Sequence, residues 1–271
     1  MTAPAPVRSP ARPGPGPAFS AVRHRLGLVV LLLALAVLAW QWSAHWMSGM
    51  DDGPWTALGT LGGFLGIWVT MMAAMMLPSV APTIALYSRL TRQRSPWSPL
   101  LFTAGYLVTW TAAGLAAFAV AVAADRVGGD ALAWDRAGRP LAGGTLLAAA
   151  AWELTPLKDV CLGKCHSPLG FLLGYWRDGP RGALGMGLRN GAWCVGCCWA
   201  LMASLFALGV MSLAWMTVIA AIIAAEKLLP RRRVTSVGTA VLLAALGLVV
   251  LVAPDSLPGL TIPGGMAGMR M

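Results

Sequence analysis

The stretch from Gly191 to Leu229, GAWCVGCCWALMASLFALGVMSLAWMTVIAAIIAAEKLL, decides how this chain folds. Its 39 residues carry two charges, Glu226 and Lys227, both at the far end. A helix crossing a bilayer needs about 20 apolar residues, because each residue advances about 1.5 Å through a core about 30 Å thick. The stretch is too long for one crossing and long enough for two. The break is placed at GVMS, Gly209 to Ser212.

The rest of the chain reads the same way. Of 271 residues, 58% are hydrophobic and only 11% charged, with a mean hydropathy of +0.70. A soluble domain carries about a quarter charged residues. The expected fold is therefore all-α, a polytopic transmembrane helix bundle of about seven spans. They are placed at 26–46, 58–78, 98–124, 141–157, 186–209, 212–229 and 235–253. Residues 1–24, rich in Pro, Ala and Gly, read as a disordered tail, 25–254 as the transmembrane domain, and 255–271 as a flexible Met-containing tail. The segment from Leu26 is too long for the core of a signal peptide and reads as a retained helix.

The net charge of +10 sets the orientation. With seven spans and the N-terminus inside, all of the 20 Lys and Arg fall on the inner side except Arg126, Arg136, Arg139 and Arg270. That asymmetry is the positive-inside pattern of a cytoplasmic (plasma) membrane protein, and the basic residues meet anionic lipid rather than nucleic acid.

Five cysteines, an odd number, cannot all pair within one chain. They fall in two clusters, CLGKC (Cys161, Cys165) and CVGCC (Cys194, Cys197, Cys198). Residues three and four apart share a helix face, so Cys194, Cys197 and Cys198 form one row that Met202 continues. In WVTMMAAMMLPS, Met71 and Met75 make a second row and Met72 and Met76 its neighbour; Pro78 and Pro82 are expected to kink or end that helix. The assumed orientation carries the methionine helix, Glu153, a loop holding Cys161 and Cys165, the first turns of the CVGCC helix, and Glu226 to one membrane depth. Thiolates with thioethers favour copper(I). Zinc would suit the cysteines, with His166 as a fourth ligand, but rarely uses methionine. Trp193 and Trp199 flank the thiols and are expected to keep them dry. Glu153 and Glu226 read either as partners of basic neighbours or as carboxylates that balance metal charge or pass a proton. Outward-facing methionines, Met47 and Met50 with His45 near the first span and Met266, Met269 and Met271 at the end, would give a copper path an outer mouth.

The motifs WVTMMAAMMLPSVAP, LTPLKDVCLGKCHSP and GLRNGAWCVGCCWALM…AEKLLP resemble those of a bacterial family of predicted metal-binding integral membrane proteins. The likeness runs from about Trp68 to Pro230. It implies a metal-binding role for Met71, Met72, Met75, Met76, Cys161, Cys165, Cys194, Cys197, Cys198 and Glu226. The reading is a membrane protein that binds copper(I) for transport or for delivery to a cuproenzyme under assembly, its partners being the bilayer and a copper chaperone or that cuproenzyme. A binding role is favoured over an enzymatic one. Two other classes use the same residues: a thiol–disulfide oxidoreductase linked to quinone through Cys194 and Cys197, and a structural assembly partner. No GxxxxGK[ST] loop is present, which excludes an ATP-driven pump in this chain.

Overall fold

The computed structural model describes residues 26–47, 60–91, 96–128, 134–208, 212–229 and 231–254. Among them are nine α-helices, one π-helical turn and no strand. The helices are α1 (Leu26–Met47), α2 (Leu61–Thr91), α3 (Ser98–Gly128), α4 (Arg139–Glu153), α5 (Pro156–His166), α6 (Pro168–Tyr175), α7 (Gly179–Leu208), α8 (Leu213–Leu228) and α9 (Arg232–Val252). The π-helical turn, Trp134–Gly138, leads into α4.

Each of the seven expected spans overlaps one of these helices. Four are long and apolar enough to cross a membrane: Leu61–Thr91, Ser98–Ala124, Gly179–Leu208 and Arg232–Val252. In α1 the apolar part is Val30–Trp42, and α4 and α8 have 15 and 16 residues, short of the roughly 20 that a crossing requires. Large apolar side chains face outward along the helices, among them Val120, Val241 and Val252 at 67%, 65% and 81% exposure. Such an apolar exterior is what a lipid environment stabilises and water does not.

Three expectations need correction. Pro78 and Pro82 do not end α2, which runs on to Thr91. Each proline removes one backbone donor, a loss that packed transmembrane helices tolerate. The CVGCC helix begins at Gly179, not near 186, because Pro180 suits a first helical turn and the glycines that follow tolerate it. The cysteines therefore sit halfway along α7 rather than in its first turns. The fourth segment does not run to 157: α4 stops at Glu153, and a second helix starts after Thr155.

That second helix, α5, turns the expected cysteine loop into ordered structure. Thr155 caps it by accepting from the Lys158 amide at 3.3 Å, Pro156 opens it, Asp159 lies in its first turn and Lys164 and His166 in its last. Ser167 and Pro168 repeat the device for α6, Ser167 Oγ accepting from the Gly170 amide at 3.2 Å.

At the centre lies α7, packed against α3, α4, α5 and α8, while α2 packs against α1, α3, α6 and α8. The α3–α7 crossing depends on absent side chains. A Cβ on Gly187 would stand 2.0 Å from the Phe102 carbonyl oxygen, and one on Gly191 would stand 2.7 Å from Thr109 Cβ. With glycine at both, the backbones close up and Thr109 Oγ1 donates to the Leu188 carbonyl at 3.0 Å. On the α2 side, Trp68 Nε1 donates to the Trp110 carbonyl at 2.8 Å.

Candidate metal centre

Helix α7 places its three thiols by spacing alone. Cys194, Cys197 and Cys198 are buried, and their sulfurs all lie within 4.8 Å of one another. Two thiolates bound about 2.3 Å from one metal ion stand at most about 4.6 Å apart, so small rotations suffice to bring these three onto a single ion. Cys197 Sγ and Cys198 Sγ lie 3.1 and 2.9 Å from the Cys194 carbonyl oxygen, which fixes their present rotamers.

The fourth and fifth sulfurs come from α5. Cys165 Sγ is 3.9 Å from Cys197 Sγ. Cys161 Sγ lies over Gly196, where a Cβ would come within 3.1 Å of it; the missing side chain is what lets α5 settle on α7. The hydrogen bond with Cys197 and then burial hold the Cys165 thiol well above its ordinary range, and burial with the nearby Cys197 raises Cys161. A metal bound at either would displace its thiol proton. All five cysteines are free.

Helices α2 and α3 complete one side. Met71, Met72, Met75 and Met76 are all buried, in the same core as the α7 thiols. Tyr106 of α3 is fully buried and its hydroxyl lies 3.0 Å from Cys194 Sγ. The α3–α7 glycines permit that contact.

From α8 come two adjacent side chains that diverge by about 100° around the helix. Lys227 points to the sulfurs: its Nζ lies 2.9 Å from Cys194 Sγ, 3.9 Å from Met76 Sδ and 3.3 Å from Ser79 Oγ. Glu226 points to α5, where the Lys158 ammonium donates to both its oxygens at 2.8 Å. Lys158 also pairs with Glu153 of α4, and all three groups are buried. Both acids are thus paired, Glu153 and Glu226 with the same Lys158.

Sequence reading missed Lys227 and Tyr106 as neighbours of the thiols, whereas Lys158, about one turn from Glu153, is the basic partner expected for it. Lys227 counted only as one more inner-side charge, although a cation within an apolar run is costly enough to flag a partner. Nothing local marks Tyr106. The expectation that both tryptophans enclose the thiols also changes: Trp199 is 46% exposed and packs edge-on against Trp152, while Trp193 is half-buried. His166 closes α5. The proposed outer mouth falls largely in 48–59 and 255–271, outside the described residues.

Residues 65–250 match the PpoB2 family, described as a copper chaperone. The chain belongs to that family. The matched segment contains Met71, Met72, Met75, Met76, Glu226 and all five cysteines, but not the outer methionines, and no curated protein and no solved structure matches the chain. For a copper chaperone family, a buried cluster of soft sulfur donors is the chemistry copper requires.

Proposed function

We propose that this protein holds copper(I) in the membrane on Cys194, Cys197 and Cys198 and passes it on, either across the bilayer or to a cuproenzyme under assembly. Membership of a copper chaperone family favours delivery. The observation that carries the reading is the three-sulfur cluster on α7, met by Cys165 from α5 at 3.9 Å. In this reading Cys161 and Cys165 form the exchange step between the core thiols and a soluble partner, since α5 lies at the bundle's edge and both are only partly buried. Met76, which Lys227 links to Cys194, supplies a thioether, and the buried Met71, Met72 and Met75 are further candidates on the same helix. Glu226 acts indirectly: through Lys158 it ties α5 to α8. The chain lies in the bacterial cytoplasmic membrane as seven spans, N-terminus inside, and copper(I) is preferred to zinc because the donors are sulfur throughout.

The test is metal content by mass spectrometry of protein purified under reducing conditions, wild type against the Cys194→Ser, Cys197→Ser, Cys198→Ser triple variant. Stoichiometric copper lost in the variant is the expected result. Zinc in its place would overturn the copper assignment. No metal in either, after copper(I) loading, would remove the metal-binding role.

A further inference from the structure

We infer that Lys227 is a tethered cation that trades places with copper(I) at Cys194 and Met76, and that this exchange sets the centre's preference for a monovalent ion. The inference rests on the copper reading of the thiol cluster.

The geometry is specific. A single ammonium reaches the thiol that α7 offers and the thioether that α2 offers, at 2.9 and 3.9 Å. A soft ion bridging Cys194 Sγ and Met76 Sδ would contend for the same place. Lys227 is 8% exposed, so its charge is not a surface charge whose stem happens to lie inward. It also has somewhere to go. Ser79 Oγ already accepts from it at 3.3 Å while donating to the Met76 carbonyl at 2.8 Å, one turn further along α2. A small rotation of the lysine keeps one partner while it releases both sulfurs.

Charge explains what the exchange accomplishes. A buried charge without a partner is strongly disfavoured, so sulfurs that must hold negative charge need a cation at every stage. When one ammonium withdraws as one copper(I) enters, the charge against the sulfurs stays constant. A zinc(II) ion entering the same place in exchange for the ammonium would leave one positive charge in excess. Lys158 does not substitute, because Glu153 and Glu226 already hold it. Tyr106, on the other side of Cys194, carries no positive charge to offer.

The chain contains three lysines, Lys158, Lys164 and Lys227, which makes the exchange directly observable. Wild-type protein in detergent, with lysine isotope-labelled at Cε and Nζ, is titrated with copper(I) under reducing conditions and followed by NMR. The Lys227 signal, identified by its loss in Lys227→Arg, is expected to shift with the first equivalent while the other two stay put. In parallel, copper(I) and zinc(II) affinities are measured by chelator competition for wild type, Lys227→Met and Lys227→Arg. Lys227→Met is expected to lower the copper-to-zinc affinity ratio about tenfold or more, the range seen for groups that act on metal ligands from behind. Lys227→Arg should retain most of it. Copper bound at the cysteines with an unmoved Lys227 signal would overturn the exchange and leave the copper reading standing, even if Lys227→Met does not fold. An unchanged ratio in a folded Lys227→Met would overturn the selectivity role. A wild type that takes up no copper(I) would remove both proposals.

Discussion

Cys197 has the most sulfur around it: it belongs to the α7 trio and also meets Cys165 at 3.9 Å. Cys161 contacts α7 at Gly196 instead. The two substitutions should therefore separate. Cys197→Ser is expected to abolish stoichiometric copper retention through gel filtration, whereas Cys161→Ser should keep bound copper and slow its transfer to a soluble acceptor. Equal loss of bound copper in both would place Cys161 in the core site. Tyr106 acts on Cys194 through its hydroxyl, 3.0 Å from the sulfur. Tyr106→Phe keeps the ring, so it should leave thermal stability nearly unchanged while weakening copper(I) binding about tenfold in a chelator competition.

Helices meet at two kinds of contact here, and each predicts a distinct failure. At the α3–α7 crossing the missing side chain of Gly187 is essential, since its Cβ would overlap the Phe102 backbone, which cannot swing away. Gly187→Ala should cost about 1–3 kcal/mol by forcing the helices apart. It should also loosen copper binding, because Tyr106 and Cys194 separate with them. A Cβ on Gly185, two residues away, meets nothing within 4 Å. Gly185→Ala should be neutral or slightly stabilising, by about 0.5–1 kcal/mol, in the same thermal unfolding assay. The second contact is ionic. Lys158 joins α5 to both α4 and α8 through two buried carboxylates. Lys158→Met would leave both uncompensated, at a cost of about 3–5 kcal/mol. Restoring much of that stability in the Lys158→Met, Glu153→Gln, Glu226→Gln triple variant would show that unpaired charge, not lost packing, is responsible.

The bundle as a whole gathers one centre from α2, α3, α5, α7 and α8. Its proposed orientation puts nearly all the basic residues on one side of the membrane, which a reporter fusion can check. A fusion at the Arg231 to Arg233 segment should report the cytoplasm, and one after Pro254 the opposite side. Reporters that agree on one side would break the seven-span count at α9. Four helices meet the length and apolarity of a crossing, while α4 and α8, with 15 and 16 residues, fall short of it.

Much of this was legible in the chain. Composition alone points to apolar helices long enough to cross a bilayer, and four of the described helices are. Spacing alone puts Cys194, Cys197 and Cys198 on one face, since the helix repeat is a local property of the backbone. Local chemistry also encoded α5 and α6: Thr155–Pro156 and Ser167–Pro168 are their helix-start signals, hidden by the reading of CLGKC as a loop. The partners of those thiols are another matter. Lys227 and Cys194 are 33 positions apart, Lys158 and Glu226 are 68, and Lys227 and Met76 are 151. No local preference links such pairs. They meet because glycines let α3 close on α7, a cap starts α5 where it can lie over Gly196, and α8 directs Glu226 and Lys227 to opposite neighbours. Which charge faces sulfur and which faces carboxylate depends on how the helices are rotated against each other, and that rotation is set by the packing of the whole bundle.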